Sequence, residues 1–461
     1  MQFHTNQIEC ADIIKASLTK APYVILLAQM QTGKTGTYLL AALSMLEQCT
    51  VSSVRIVTGN RDKALRKQCK EDVANAVKTF ADLNENTSDW YADKISVLFG
   101  QDMTKDIRKS GTAASLRDTL IIWEESHYAQ SATHTPYMWF KKYGLHHALT
   151  GDLSGISEYN NKIISVSATP FSEIVNHVKR DKKRANKSIV YLHPPSTYRG
   201  VKWYIDHGLV EATDTILDDG MSQLEEFLKE FQSVRKWLLF RCMGTHDLRD
   251  TLVRISSELG FGKPINYDMT SNFVLDELHT QPVASTIVFL KGKCRMGCVT
   301  PKQHIGLVFE SANDPHTDTI LQGLWGRMCG IPTASDPFEH NHIRIYVDKS
   351  ILTRACQYVE AFQECTPPLI DHSMNVKKHR EPKKMSDNGY PLIPFPIQFT
   401  IQQGTNKESN ENKQKIIEML SRMPKWGNNN RTQIADVKKR IATKSNHIVF
   451  RNMSRVSYVK N

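Results

Sequence analysis

Six consecutive apolar residues, 23–28 (YVILLA), lead straight into the turn Gln29-Met-Gln-Thr-Gly33-Lys34-Thr35, and residues 35–46 then repeat apolar side chains at helical spacing. No other feature constrains the fold as tightly. A buried strand, a short turn carrying Gly-Lys-Thr and a helix gather backbone N–H groups and a helix N-terminus at one point, which attracts anions. In such a turn Gly33 lets the backbone approach a phosphate, Lys34 reaches the β and γ phosphates, and the Thr35 hydroxyl is a ligand for Mg²⁺. An ordinary strand-to-helix turn is the bland alternative; the order of the three elements favours a nucleotide site. Either way the strand needs cover on both faces, because an unbroken apolar run leaves no face for water.

The rhythm continues. Short apolar runs at 54–58 (VRIVT), 95–99 (ISVLF), 119–123 (TLIIW) and 162–167 (KIISVS) read as strands, with helix-like stretches such as 61–77 between them. From 178 to 204 the chain turns basic, contains prolines and loses its period, as an interdomain connection would. Strand-like runs resume at 237–241, 286–290, 306–310 and 343–347, with helix-like 247–259 and 318–328. The expected fold class is α/β, with two tandem domains built on parallel sheets at 1–178 and 205–370. A basic connection at 179–204 joins them, and a small basic C-terminal extension follows at 371–461.

Charge is unevenly placed. The chain holds 59 Lys and Arg against 48 Asp and Glu, a net +11, and residues 371–461 alone hold 18 against 7, so the body is neutral and the tail carries the whole excess. Hydrophobic content of 40% and charged content of 23% are near globular averages and argue against disorder throughout. No apolar run approaches the roughly 18 residues of a membrane span, and the start MQFHTNQIEC lacks a basic-then-apolar leader. An intracellular protein with no membrane partner is expected. Nine cysteines without paired spacing suit a reducing compartment. Cys294, Cys298 and His304 look like half a metal site, but no second cluster completes four ligands, and they read as ordinary side chains.

The run 119–123 ends in Glu124-Glu125-Ser126-His127. A carboxylate at a strand end beside the phosphate turn can hold Mg²⁺, and its neighbour can orient a water for attack. Glu124 is assigned to the metal and Glu125 to the water; a solvated Glu pair is the plain alternative.

With these motifs in place, residues 1–350 resemble a superfamily 2 helicase or translocase of the DEAD/DEAH kind, of viral or phage type. Gln7 precedes Gly-Lys-Thr at about the distance of the family's adenine-reading glutamine. Val57-Thr58-Gly59-Asn60 is similar to the motif that touches the nucleic-acid backbone. The box at 124–127 (EESH) is similar to DEAH, with Glu124 in place of the usual Asp. Ser167-Ala168-Thr169-Pro170 matches the SAT motif, which couples hydrolysis to strand movement. Residues 237–244 (WLLFRCMG) and 289–297 (FLKGKCRMG) resemble motifs IV and V. Gln322-Gly-Leu-Trp-Gly326-Arg327-Met-Cys-Gly330 resembles motif VI, the source of an arginine finger. Gly330 stands where a second arginine is frequent, and the glutamine-to-glycine spacing is one residue longer than usual.

The resemblance implies two RecA-like P-loop domains with ATP and Mg²⁺ in the cleft between them. Gln7, Gln31, Thr32, Gly33, Lys34, Thr35 and Gly36 would surround the nucleotide, and Thr35 and Glu124 would hold the metal. Lys34, Glu124, Glu125 and Arg327 would serve hydrolysis, and Thr58, Ser167, Ala168 and Thr169 nucleic-acid contact or coupling. The implied activity is ATP-dependent movement on single-stranded DNA or RNA or on duplex DNA, with DNA ranked ahead of RNA. The setting would be a replication, recombination or transcription complex, in the cytoplasm or nucleus of a host or within a virion. Two alternatives stay open: a helicase-like module that binds without hydrolysing, and a translocating subunit of a larger assembly.

In the tail, Lys377-Lys378-His379-Arg380, Lys383-Lys384 and Lys438-Lys439-Arg440 are interspersed with Trp426, Phe450 and Tyr458, which combines charge for phosphates with rings for bases. A nuclear-import segment or a solvated tail explains the same charges. Lys179-Arg180-Asp-Lys182-Lys183-Arg184 likewise reads as a phosphate contact or as a solvated linker face.

Overall fold

The computed structural model describes residues 3–61, 63–85, 87–109, 116–126, 133–150, 152–168, 187–213, 222–242, 246–268, 271–291, 299–311, 320–332, 343–363, 397–400, 447–450 and 456–458. The first sheet contains β1 (Tyr23–Ala28), β2 (Ser53–Val57), β3 (Ile95–Leu98), β4 (Thr119–Glu124), β5 (Lys162–Ser167) and β6 (Ser188–Leu192), in the order β3-β2-β4-β5-β1-β6. Every pairing is parallel. Helices α1 (Thr5–Lys20), α2 (Lys34–Glu47) and α3 (Lys63–Leu83) supply cover. Successive residues of β1 point to opposite faces. Val24, Leu26 and Ala28 pack with Ile14 and Leu18 of α1, Tyr38, Leu39 and Leu43 of α2 and Val77 of α3. Tyr23, Ile25 and Leu27 enter a second apolar cluster on the other face. Burial of both faces is what the unbroken apolar run requires.

The second sheet contains β7 (Val210–Ala212), β8 (Trp237–Cys242), β9 (Gly262–Tyr267), β10 (Thr286–Leu290), β11 (Ile305–Ser311) and β12 (Arg344–Val347), in the order β7-β12-β11-β8-β10-β9, again all parallel. Leu238, Phe240, Ile287, Phe289, Leu307 and Phe309 face one core. Trp237, Leu239, Val288, Val308 and Ile345 face the other way, into the cluster that also takes Tyr23, Ile25 and Leu27 of β1. One apolar core therefore runs from sheet to sheet, with Met30, Tyr198, Tyr204, Trp325 and Tyr358 within it. Two all-parallel α/β sheets in succession are the architecture expected of tandem RecA-like domains.

Ser188–Leu192 falls inside the stretch that lost its period in the sequence, yet it pairs with β1 from Val24 against Ser188 to Ala28 against Leu192. Strands β6, β7 and β9 all lie at sheet edges and are only partly buried. An edge strand needs no long apolar run: β7 (VEA) and β9 (GKPINY) carry none, and the four apolar residues of β6 (IVYL) sit inside a stretch of basic residues and prolines.

The extension from Arg380 onward is a separate unit. It holds an antiparallel sheet of β13 (Ile397–Thr400), β14 (His447–Phe450) and β15 (Val456–Tyr458), in that order. Phe450 and Tyr458 lie in these strands, whereas the lysine runs of the tail and Trp426 lie outside the described residues. Among the described residues no helix is long and apolar enough to cross a membrane.

Candidate nucleotide site

In parallel α/β sheets ligands gather beyond the carboxyl ends of the strands, and β1, β4 and β5 all end in residues singled out above. The turn after β1 caps α2 with Gly33, whose φ of +90° is left-handed and suits glycine alone among residues without strain. A Cβ at Gly33 would lie 2.5 Å from Gln7 Nε2. Gln7, buried in the first turn of α1, donates Nε2 to the Gly33 carbonyl at 2.7 Å and accepts the His4 N–H through Oε1 at 2.8 Å. Its carboxamide thus ties α1 to the turn, and Gly36 lies against the same group. Thr32 is buried and donates to the Gln29 carbonyl at 2.9 Å, which closes the turn from inside. Lys34 and Thr35 are the first two residues of α2, where its N-terminal N–H groups are free to bind an anion.

Glu124 is the last residue of β4. The Tyr38 hydroxyl, one turn into α2, donates to Glu124 Oε1 at 3.1 Å and also hydrogen-bonds Thr35. The Cys69 thiol of α3 lies 3.9 Å from Glu124 Oε2. Burial, and then the adjacent Glu125 charge, push the Glu124 carboxyl up to about 7, against the pull of Lys34 and the Tyr38 hydrogen bond. Glu125 is buried and left-handed at φ +52°, and Ser126 then donates to the Val166 carbonyl of β5 at 3.1 Å. Holding a non-glycine residue there costs about 1–3 kcal/mol, a strain common at functional turns. Mg²⁺ typically takes one or two carboxylates together with substrate phosphates and water. Two adjacent carboxylates, one of them, Glu124, linked through the Tyr38 phenol to the Thr35 hydroxyl at a helix N-terminus, fit that donor set.

Across from the turn lies the short helix Leu324–Met328, which carries the buried Arg327. Glu310, at the end of β11, accepts the Leu324 N–H at 3.0 Å and pairs with Arg241 of β8, their side chains 2% and 5% exposed. Burial pushes the Glu310 carboxyl up despite Arg241. Gln31 Nε2 donates to the Arg327 carbonyl at 2.9 Å, and Gln31 Oε1 accepts from Lys302 Nζ at 3.2 Å. The Tyr198 hydroxyl donates to the Met30 carbonyl at 2.6 Å, and the Tyr358 hydroxyl to the Ala168 carbonyl at 3.0 Å. The Gly33 turn, the Ser167-Ala168 segment and the Arg327 helix are therefore brought together.

Ser167 ends β5 beside Leu27 of β1, and Thr58 is buried just beyond β2, its hydroxyl accepting the Asn60 N–H at 3.3 Å. Thr58 sits at the same sheet edge, farther from the turn by the strand order. Thr169, Pro170, His127, residues 179–184 and residues 292–298, with Cys294 and Cys298, lie outside the described residues. Sequence reasoning missed Tyr38, Arg241, Lys302, Glu310 and Tyr358. Arg241 and Glu310 did leave a signal: each closes a run of buried apolar residues, where a charge must find a partner.

No family model matches the sequence. Uncharacterized protein L594 of Acanthamoeba polyphaga mimivirus is 27% identical over 180 residues, 36% of this chain and 43% of that one, so the chain spans less than half of this relative. Among solved structures, the ATP-dependent Type ISP restriction-modification enzyme LlaBIII bound to DNA aligns with a TM-score of 0.46 at 11% identity, over 79% of this chain and 30% of that chain. The Pyrococcus furiosus Hef helicase domain aligns with a TM-score of 0.40 at 13% identity, over 78% of this chain and 100% of that domain. Both scores are low, and the functional reading rests on the site itself.

Proposed function

We propose that this chain is an ATP-dependent nucleic-acid helicase or translocase that hydrolyses ATP between its two parallel sheets. One observation carries the reading: Gln31 of the phosphate turn contacts the carbonyl of Arg327, on the helix Leu324–Met328 in the second half, so one ligand can touch both halves. In this reading the α2 N-terminus and Lys34 bind the phosphates, and Thr35 and Glu124 hold Mg²⁺, which supplies charge neutralisation at the phosphate oxygens. Glu125 orients the attacking water through its carboxylate, and Arg327 stabilises charge on the transferred group. The Tyr358 to Ala168 bond gives hydrolysis a mechanical route between the halves, since Ala168 lies in the coupling motif. The nine scattered cysteines and the viral source of the 27% identical relative support an intracellular, viral setting, in replication, recombination or transcription.

The test is the ATPase rate of the full chain against single-stranded, double-stranded and branched DNA and RNA. Stimulation by at least one nucleic acid, with collapse in Lys34→Ala and Glu125→Gln, is expected, and the panel ranks DNA against RNA. Wild-type turnover in both variants would sink the reading. A second reading, binding without hydrolysis, draws on the burial of Glu124 and the adjacent Glu125 charge, which push its carboxyl up to about 7 and disfavour the charged form that a cation needs. ATP binding without turnover on every nucleic acid would favour it.

A further inference from the structure

The Gly33 carbonyl is held from two elements. Within α2 it accepts the Thr37 N–H at 3.2 Å and the Thr37 hydroxyl at 3.3 Å, and from α1 it accepts Gln7 Nε2 at 2.7 Å, the shortest of these contacts. The Gln7 carboxamide has one workable orientation. Its oxygen accepts the His4 N–H at 2.8 Å, so the reverse orientation would set that oxygen against the Gly33 carbonyl and the amino group against an N–H. The helix that carries it is also tied down: Asn6 Nδ2 donates to the His193 carbonyl, just beyond β6, at 2.9 Å, and Cys10, Ala11, Ile14 and Leu18 pack α1 into the first apolar core. Gln7 is 4% exposed, and a Cβ placed on Gly33 or on Gly36 would lie 2.5 Å from its Nε2. The carboxamide therefore lies against the backbone of the turn at both glycines.

We propose that Gln7 is a positioning residue of the phosphate turn, which aims the Lys34 N–H at the bound phosphates, and that it does not select the base. This rests on the nucleotide-site reading above. In a planar trans peptide the C=O and the N–H point in opposite directions. Fixing the Gly33 carbonyl therefore fixes the direction of the Lys34 N–H, the first free donor of α2. Gly33 has no side chain to brace that peptide, and a glycine backbone has the most conformational freedom to lose. A tie from a second element removes that freedom before a ligand arrives, so the donor needs no reordering on binding. The two contacts of the carboxamide go to main-chain groups of the turn and of α1, and a main-chain donor to phosphate serves every nucleotide alike, because the phosphates are the same whatever the base.

The test is equilibrium binding of a non-hydrolysable ATP analogue and of inorganic tripolyphosphate, each with Mg²⁺, to the full chain and to Gln7→Met and Gln7→Asn. Met keeps the length of the side chain and Asn keeps a carboxamide on a shorter stem, so at least one variant should retain the wild-type melting temperature. In that variant both ligands are expected to bind about tenfold more weakly, the ratio produced by about 1.4 kcal/mol. KM for ATP should rise by a similar factor while kcat changes by less than about twofold, the pattern of lost uniform binding. Weaker binding of the analogue with tripolyphosphate unchanged would make Gln7 a reader of the base and overturn the proposal. Unchanged binding of both would overturn it too, as would a fall in kcat at constant KM, the mark of lost folded protein. A wild-type chain that binds the analogue but not tripolyphosphate would place the affinity in the nucleoside, with the same consequence. A wild-type chain that binds neither ligand would overturn the nucleotide-site reading itself, an outcome distinct from the others.

Discussion

The Tyr38 hydroxyl donates to Glu124 Oε1 at 3.1 Å while sharing a hydrogen bond with Thr35, so both expected Mg²⁺ ligands hang on one phenol. This bond favours the charged form of Glu124. Removing it in Tyr38→Phe should raise the Glu124 carboxyl further and weaken metal binding. A hydrogen bond to a charged group contributes about 1.5–3 kcal/mol, so the Mg²⁺ concentration for half-maximal ATPase activity should rise about tenfold or more. An unchanged Mg²⁺ midpoint would show that Tyr38 does not position the pair.

Glu124 should also leave a mark on stability against pH. Its carboxyl is raised from 4.5 to about 7 in the folded protein, so the folded state binds more protons than the unfolded state between those values. The contribution of Glu124 to stability is then fully present below about 4.5 and is lost as pH rises toward 7, by on the order of 3 kcal/mol. Glu124→Gln should flatten that slope in urea titrations run without Mg²⁺ at several pH values. Parallel slopes in wild type and variant would remove Glu124 as its source.

Arg241 and Glu310 form a buried pair whose carboxylate also accepts the first N–H of the Arg327 helix. Truncating one partner leaves an uncompensated buried charge, so Arg241→Met should lose about 3–5 kcal/mol of stability by denaturant titration. Replacing both, as Arg241→Met with Glu310→Met, should recover most of it. ATP hydrolysis should stay low in the double variant, because the helix has lost the acceptor for Leu324. Wild-type turnover in a stable double variant would show that Arg327 needs no such anchor.

Residues 371–461 hold the whole net charge of +11. Deleting them should weaken nucleic-acid binding and flatten its dependence on salt, because fewer counterions are released per binding event. Basal ATP hydrolysis should survive, since every candidate catalytic residue lies earlier in the chain. An unchanged salt slope would move the phosphate grip to the two α/β sheets.

Much of the core was legible along the chain because central strands buried on both faces must be apolar without interruption. Runs such as YVILLA and TIVFL can be read locally, and Tyr23–Ala28 and Thr286–Leu290 have the bounds the residues suggest. Edge strands β7 and β9 were not legible, since one side of each faces no neighbour and they carry no apolar run, whereas the edge strand β3 kept its run and was legible; β6 was hidden because its short run IVYL is flanked by basic residues and prolines. The tail strands were missed because short runs such as HIVF sit among Asn- and Lys-rich stretches with no period.

The sequence by itself determined the turn and the order of the chemistry: Gly-Lys-Thr after a buried strand, a carboxylate pair after another, an arginine near the end of the second half. These are local because each depends on a few neighbouring residues and the element that carries them. Only the tertiary structure decided which groups meet. It set the Tyr38 phenol on Glu124, 86 residues away, seated Glu310 under the Arg327 helix, and brought Lys302 to Gln31 across 271 residues. No periodicity encodes such contacts. Each is fixed by how two sheets share one apolar core, and by the requirement that a polar group sealed inside it must find a partner.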